Sequence, residues 1–165
     1  MVGVGRRRGR LGFTLLELII AIFVLTLVIG ISIPTVSGIY LEEQLRSTTR
    51  ALEEYCIRAR TMATSEQKTY AVAFNAKGFD LVEAQVGADE EVKPVMSHQW
   101  AKEAVCELMV WPERQWKRAG KQVVYFYAEG LSMAFHFRIR IGGGMIEQRY
   151  HPLTGRVAEE SYVLP

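Results

Sequence analysis

The feature that most constrains this chain is a run over residues 13–33 in which Glu17 is the only ionisable side chain. At about 1.5 Å per residue, a helix over that stretch is roughly 30 Å long, the thickness of a bilayer's hydrocarbon core. The run therefore predicts a membrane-spanning helix. Arg6, Arg7, Arg8 and Arg10 precede it and no matching cluster follows directly, so the positive-inside rule places the N-terminus in the cytoplasm and sends the rest across. A secretory signal would have a shorter apolar region ending in a small-residue cleavage site. This run instead reaches Ile33-Pro34, which favours an anchor.

An anchor alone does not account for Glu17. A carboxylate costs about 2.5 to 3.5 kcal/mol at mid-bilayer on insertion scales and less near the interface, so it calls for a partner or a place close to the membrane surface. Gly12-Phe13-Thr14-Leu15-Leu16-Glu17, with a short basic leader before it and an apolar helix after it, resembles the processing site of type IV prepilins and prepseudopilins. The resemblance implies that a prepilin peptidase cuts between Gly12 and Phe13 and that Phe13 becomes the N-methylated first residue. It also implies that Glu17 pairs with the cationic N-terminus of a neighbouring subunit in a filament. Such a pair, in a low-dielectric bundle, sets axial register more than it adds stability, because desolvation offsets much of the attraction.

Past the run, Gly30 and Pro34 interrupt the helical pattern, since proline removes a backbone donor and clashes with the preceding turn. They predict a bend or a stop. Leu41, Leu45, Thr48, Leu52, Tyr55, Ala59 and Met62 then recur at three- and four-residue steps, which predicts an amphipathic continuation. Glu42 with Arg46, and Glu54 with Arg58, are favourable pairs one turn apart. One helix over residues 13–64 follows, membrane-spanning in its first half.

After residue 65 the periodicity becomes alternating. Strands are predicted over residues 69–74 and 79–84 around an Asn75-Ala76-Lys77-Gly78 turn, then over 105–111, 122–127, 134–141, 145–150 and 156–163. Phe135, Phe137, Ile139 and Ile141 face one way in the clearest of these, with His136, Arg138 and Arg140 opposite. Residues 86–94 read as a polar, acidic loop. The expected organisation is a leader over 1–12, a helix over 13–64 and a periplasmic antiparallel β domain over 65–165. That makes an α+β fold: a long helix packed on an antiparallel sheet or sandwich. The order of parts resembles the H-type minor pseudopilins of type II secretion and the FimT-like minor pilins, the GspH/FimT family. The resemblance implies an inner-membrane subunit, with its β domain in the periplasm, that meets prepilin peptidase, other pilins or pseudopilins and an inner-membrane assembly platform. The filament would be a type II secretion pseudopilus or a type IV pilus tip.

Removing the four leader arginines from the 20 Lys and Arg leaves 16 against 18 Asp and Glu, a slightly acidic remainder. A nucleic-acid binder would carry the positive excess on its body. FimT-like pilins that bind DNA for natural transformation have Gly-Arg-x-Arg near the C-terminus. Here Gly155-Arg156-Val157-Ala158 lacks the second arginine and is followed by Glu159 and Glu160, so nucleic acid is not the expected partner, and a FimT-like minor pilin that binds DNA for natural transformation is the alternative reading. Trp111 and Trp116 with Pro112, Arg114, Lys117 and Arg118 form an aromatic and basic segment, read as a surface loop with one tryptophan tucked into the core or as a contact for a partner subunit or a strand of DNA.

His98, His136 and His151 are scattered and do not have metal-ligand spacing, and the acidic stretch 83–91 lacks that of a calcium loop. No nucleophile elbow or phosphate-binding glycine loop occurs. Neither cofactor nor enzymatic activity is expected. Cys56 and Cys106 are either a periplasmic disulfide or two buried free thiols.

Overall fold

The structure, a computed structural model, describes residues 14–84 and 93–163, with the backbone alone over 30–39. The contacts divide the chain into two units, Met1–Ser37 and Gly38–Pro165. Helix α1 (Leu15–Glu66) contributes to both.

In the first unit, α1 opens at a capped end. The Glu17 backbone N–H donates to Thr14 Oγ1 at 3.2 Å, and the Leu18 N–H donates to the Thr14 carbonyl at 3.2 Å. From Leu15 to Ile29 the helix is apolar on every side apart from Glu17 and Thr26, and its large side chains are all more than half exposed. α1 continues through Gly30 and Pro34 as helix, and the bend expected there falls where no side chains are described. Among the described residues no helix is long and apolar enough to cross a membrane. The expected span begins at residue 13, outside the described residues, and ends over 30–33, where the backbone alone is described.

In the second unit, α1 packs on two antiparallel sheets. The strands are β1 (Tyr70–Phe74), β2 (Gly78–Glu83), β3 (Met96–Gln99), β4 (Val105–Val110), β5 (Lys117–Arg118), β6 (Val123–Phe126), β7 (Phe135–Ile141), β8 (Gly144–Tyr150) and β9 (Val157–Val163). One sheet has the order β3-β2-β1-β6 and the other β5-β4-β7-β8-β9. Phe74 of β1 and Phe137 of β7 stack across the core at 6.1 Å, and Tyr55 of α1 meets Phe79 of β2 edge-on at 5.0 Å. An offset or edge-to-face contact suits the quadrupoles of such rings.

The buried helix face comprises Leu45, Thr48, Thr49, Leu52, Tyr55, Cys56, Ala59 and Ala63. It is broader than the periodicity predicts because two sheets cover it. Cys56 and Ala63 join the core and Thr49 is buried beside them, while Leu41 and Met62 are half-buried at its margin. The helix ends with Gln67 at φ 56°, the Lys68 N–H donating to the Ala63 carbonyl at 3.2 Å. This is a Schellman-type stop built without glycine.

The strand expectations hold to within a residue or two, with three omissions. The strands β3 and β5 and the 3-10 turn Ala119–Lys121 lie in segments that read as connections. They are short and polar, and neighbouring strands rather than their own alternation hold them. Gly78 shows how β3 fits: a Cβ there would lie 1.8 Å from the His98 carbonyl oxygen, so only glycine lets β3 approach. In the β7–β8 hairpin Ile141 pairs with Gly144, and Gly142 takes φ 55° in the two-residue turn.

Candidate functional site

The candidate site with the clearest chemistry is the N-terminal end of α1. Thr14-Leu15-Leu16-Glu17 has the spacing of a capping box, and its threonine half is formed: Oγ1 satisfies one of the N–H groups that a helix start leaves without a partner. Glu17 lies in the first turn, where the helix dipole favours a carboxylate. The sequence alone leads to an intermolecular partner or a place near the membrane surface for this glutamate; its setting in the first turn of α1 is a local one in addition. Gly12 and Phe13, the expected cleavage and methylation positions, lie outside the described residues.

Beyond that turn, Leu15, Leu16, Ile19, Phe23 and their neighbours offer water an apolar surface on all sides. Burying each such side chain is worth about 1.5 to 3 kcal/mol. A helix apolar all round belongs in lipid or among other helices.

In the second unit, polar contacts fix α1 to the sheets. Arg60 Nε donates to the Gly130 carbonyl at 3.1 Å, Glu53 Oε1 accepts from the Val157 N–H at 3.2 Å, and Arg46 lies 3.8 Å from Glu160 with its guanidinium 5.6 Å from the Tyr162 ring centre. Glu54, its sequence neighbour, points outward. The Glu42–Arg46 pair forms at 2.8 Å.

The outer face of the larger sheet carries a charge ladder. Arg138 lies 2.8 Å from Glu147 and 3.8 Å from Glu107, Arg140 pairs with Glu107 at 2.9 Å, and Arg149 pairs with Glu159. Trp116 lies half-buried beneath Arg138, 3.9 Å from guanidinium carbon to ring centre. Trp111 is 54% exposed and carries the Arg114 guanidinium at 4.3 Å. Neither tryptophan enters the core, so the segment is a surface feature throughout.

Cys56 and Cys106 are both buried free thiols. Burial pushes the Cys56 thiol well above its ordinary value and the Cys106 thiol up to about 12, with Glu53 and Glu107 adding to the respective effects. Neither thiol is activated as a nucleophile. Among the described residues no group of His, Cys, Asp and Glu is placed to hold a metal ion. His136 is held below its usual range, chiefly by burial. Gly155 turns at φ 67° against the Cys56 carbonyl, and Arg156 lines a surface groove together with Arg50, Glu53, Glu54 and Arg58. Glu160 is engaged by Gln148 at 2.6 Å.

The Prokaryotic N-terminal methylation motif matches residues 7–33. No curated protein matches the full sequence. Among solved structures, the chain is similar to the Pseudomonas aeruginosa (strain PAO1) type IV minor pilin FimU. In one crystal form of that protein the TM-score is 0.54 at 17% identity, covering 73% of this chain and 90% of FimU. In a second form it is 0.51 at 16% identity, covering 71% and 92%. At this identity the likeness speaks for the fold, and the motif speaks independently for the N-terminus. The chain thus carries the prokaryotic N-terminal methylation motif at residues 7–33 and has a fold similar to that of a type IV minor pilin.

Proposed function

We propose that the chain is a minor subunit of a pilin-type filament: a type II secretion pseudopilus of the GspH/FimT kind or the tip of a type IV pilus. It is inserted in the inner membrane by residues 13–33 with its N-terminus cytoplasmic and its β domain periplasmic. Prepilin peptidase cuts between Gly12 and Phe13, Phe13 is N-methylated, and an inner-membrane platform passes the subunit into the filament. Glu17 takes the new N-terminus of a neighbour as its partner there. Its work is assembly and partner contact, without catalysis.

One observation carries this reading. Within the motif, α1 from Leu15 to Ile29 is exposed and, apart from Thr26 and a single carboxylate in its first turn, apolar on every side. Such a helix finds a stable setting first in lipid and then among like helices, and one acidic group is enough to mark a register.

The test is intact-mass analysis of the chain co-expressed with a prepilin peptidase. The wild type is expected to lose residues 1–12 and gain one methyl group, and Gly12→Val to do neither. An uncut wild type would reduce the segment to an ordinary anchor.

A further inference from the structure

We infer that the cleft at one end of the larger sheet binds a peptide segment of another protein, one that presents a bulky apolar side chain next to a carboxylate. The cleft has a volume of about 630 Å³, within the size range of ligand sites. Beneath it lies the buried Phe135–Tyr150 ring stack, with centres 4.4 Å apart and planes 9° from parallel. Trp111 forms one wall, 54% exposed, and the Arg114 guanidinium lies 4.3 Å from its ring.

The groups of fixed charge in the cleft have one sign. Arg114, Arg149 and two histidines line it, and no Asp or Glu is among the described residues that do. Arg149 is already paired with Glu159, and Glu113 beside Arg114 is paired with Lys117. Arg114 has a ring beneath it but no carboxylate partner among the described residues. A guanidinium stacked on a ring and free at its edge takes a carboxylate well, because its donors are already oriented. Arg114 is held at φ 50°, a conformation that costs a non-glycine residue energy and is more frequent at ligand clamps.

The occupant follows from the combination. Aromatic rings and an apolar floor call for a bulky apolar side chain, and one unpartnered guanidinium at the rim calls for one carboxylate. A nucleic-acid strand would need several phosphate contacts, and Glu159 and Glu160 stand next to the cleft along β9. An acyl chain could satisfy the cation but has no planar group to stack on the rings. The inference does not rest on processing at Gly12.

The experiment titrates the full-length chain in lipid nanodiscs, with indole N–H groups labelled with nitrogen-15, against three probes: acetyl-Phe-Glu-amide, acetyl-Phe-Gln-amide and acetyl-Phe-Lys-amide. The Trp111 signal is assigned by its loss in Trp111→Phe. The Glu probe is expected to shift that signal saturably and to bind about tenfold more tightly than the Gln probe, with the Lys probe weakest. Arg114→Gln is expected to abolish the preference for Glu while leaving the Trp100 and Trp116 signals in place, which shows that the fold is kept. An absent or non-saturable shift, equal response to all three probes, or an unchanged preference in Arg114→Gln would overturn the inference. So would tighter binding of laurate or of a short oligothymidylate at the same signal.

Discussion

Glu53 of α1 accepts a hydrogen bond from the Val157 backbone N–H, 3.2 Å away, at the first residue of β9. The contact ties the helix to an edge strand of the larger sheet across 104 residues of chain. A bond to a charged acceptor is worth about 1.5 to 3 kcal/mol when half-buried. Glu53→Ala is therefore expected to lower unfolding stability by about 1 to 2 kcal/mol and to raise amide exchange at Val157. Glu53→Gln, which keeps an acceptor oxygen, retains part of both. Glu54→Ala, on the exposed side of the same turn, stays within about 0.5 kcal/mol. Urea unfolding with site-resolved exchange checks all three.

Tyr70 donates to Glu66 at 2.6 Å, and this bond, followed by burial, pushes its phenol up to about 12. The folded state thus keeps its proton where the unfolded chain, titrating near pH 10, loses it. Stability from this group is complete below about pH 10 and falls as pH rises toward 12. The wild type is expected to be more stable than Tyr70→Phe at pH 8, with the gap narrowing steadily above pH 10. Urea midpoints for both proteins from pH 8 to 11.5 test the sign. A gap that stays constant would mean that the phenol does not titrate differently on folding.

How much of this was legible in the sequence depends on where the determining information lies. β7 could be read directly, because one face enters the core at Phe135, Phe137, Ile139 and Ile141 while the other meets solvent. β3 could not, because Met96 and His98 are only half-buried and the strand is held by β2 and by the missing side chain at Gly78. Glu53 and Glu54 are the same letter on one helix, and only the arrival of β9 distinguishes them. The N-terminal motif was visible because it is contiguous. The cleft was not, since Trp111, Phe135 and Tyr150 come from separate strand ends that the topology brings together. Trp111 and Arg114 could be noticed as an aromatic and basic segment, but not as the wall of a binding site.

Thr14 supplies the cap from which α1 starts. Thr14→Ala is expected to fray the first turn at a cost of about 1 kcal/mol, and Thr14→Ser to preserve it. Amide exchange at Glu17 in the full-length chain in nanodiscs reports the difference: fast in the alanine variant, near wild type in the serine variant. Equal protection in both would show that the hydroxyl bond to the Glu17 N–H contributes nothing.

The two thiols are expected to be inert in the folded chain. With Cys106 pushed up to about 12 by burial, its thiolate fraction at pH 8 is about a thousandfold below that of an ordinary cysteine. Cys56 is shielded further still. A thiol-disulfide dye at pH 8 should therefore report almost no reaction in the native protein and two equivalents after unfolding in guanidinium. Two fast equivalents in the native state would contradict the burial. None after unfolding would show that the cysteines had been joined.

Glycine substitutions separate a backbone obstacle from open space. At Gly78 an added Cβ meets the His98 carbonyl oxygen at 1.8 Å, its carbon at 2.8 Å and Gln99 Cα at 3.0 Å. All three are backbone atoms that cannot rotate away, so β3 must shift, and its ladder with β2 and the His98–Phe79 stack at 4.9 Å shift with it. At Gly120 the nearest atoms are backbone of Ala76 at 3.7 Å, an ordinary contact. Gly78→Ala is expected to cost about 2 to 3 kcal/mol and Gly120→Ala to stay within about 0.5 kcal/mol. The loss should begin locally. Amide protection should disappear first at Val95, whose N–H bonds the Leu81 carbonyl at 2.7 Å, and at the β3 residues paired with Gly78, Phe79, Asp80 and Leu81, while the β1–β6 pairing persists. If Gly78→Ala instead unfolds with wild-type stability and intact β3 protection, the close approach of β3 to β2 is wrong, and with it the account of why a strand so short and polar forms there.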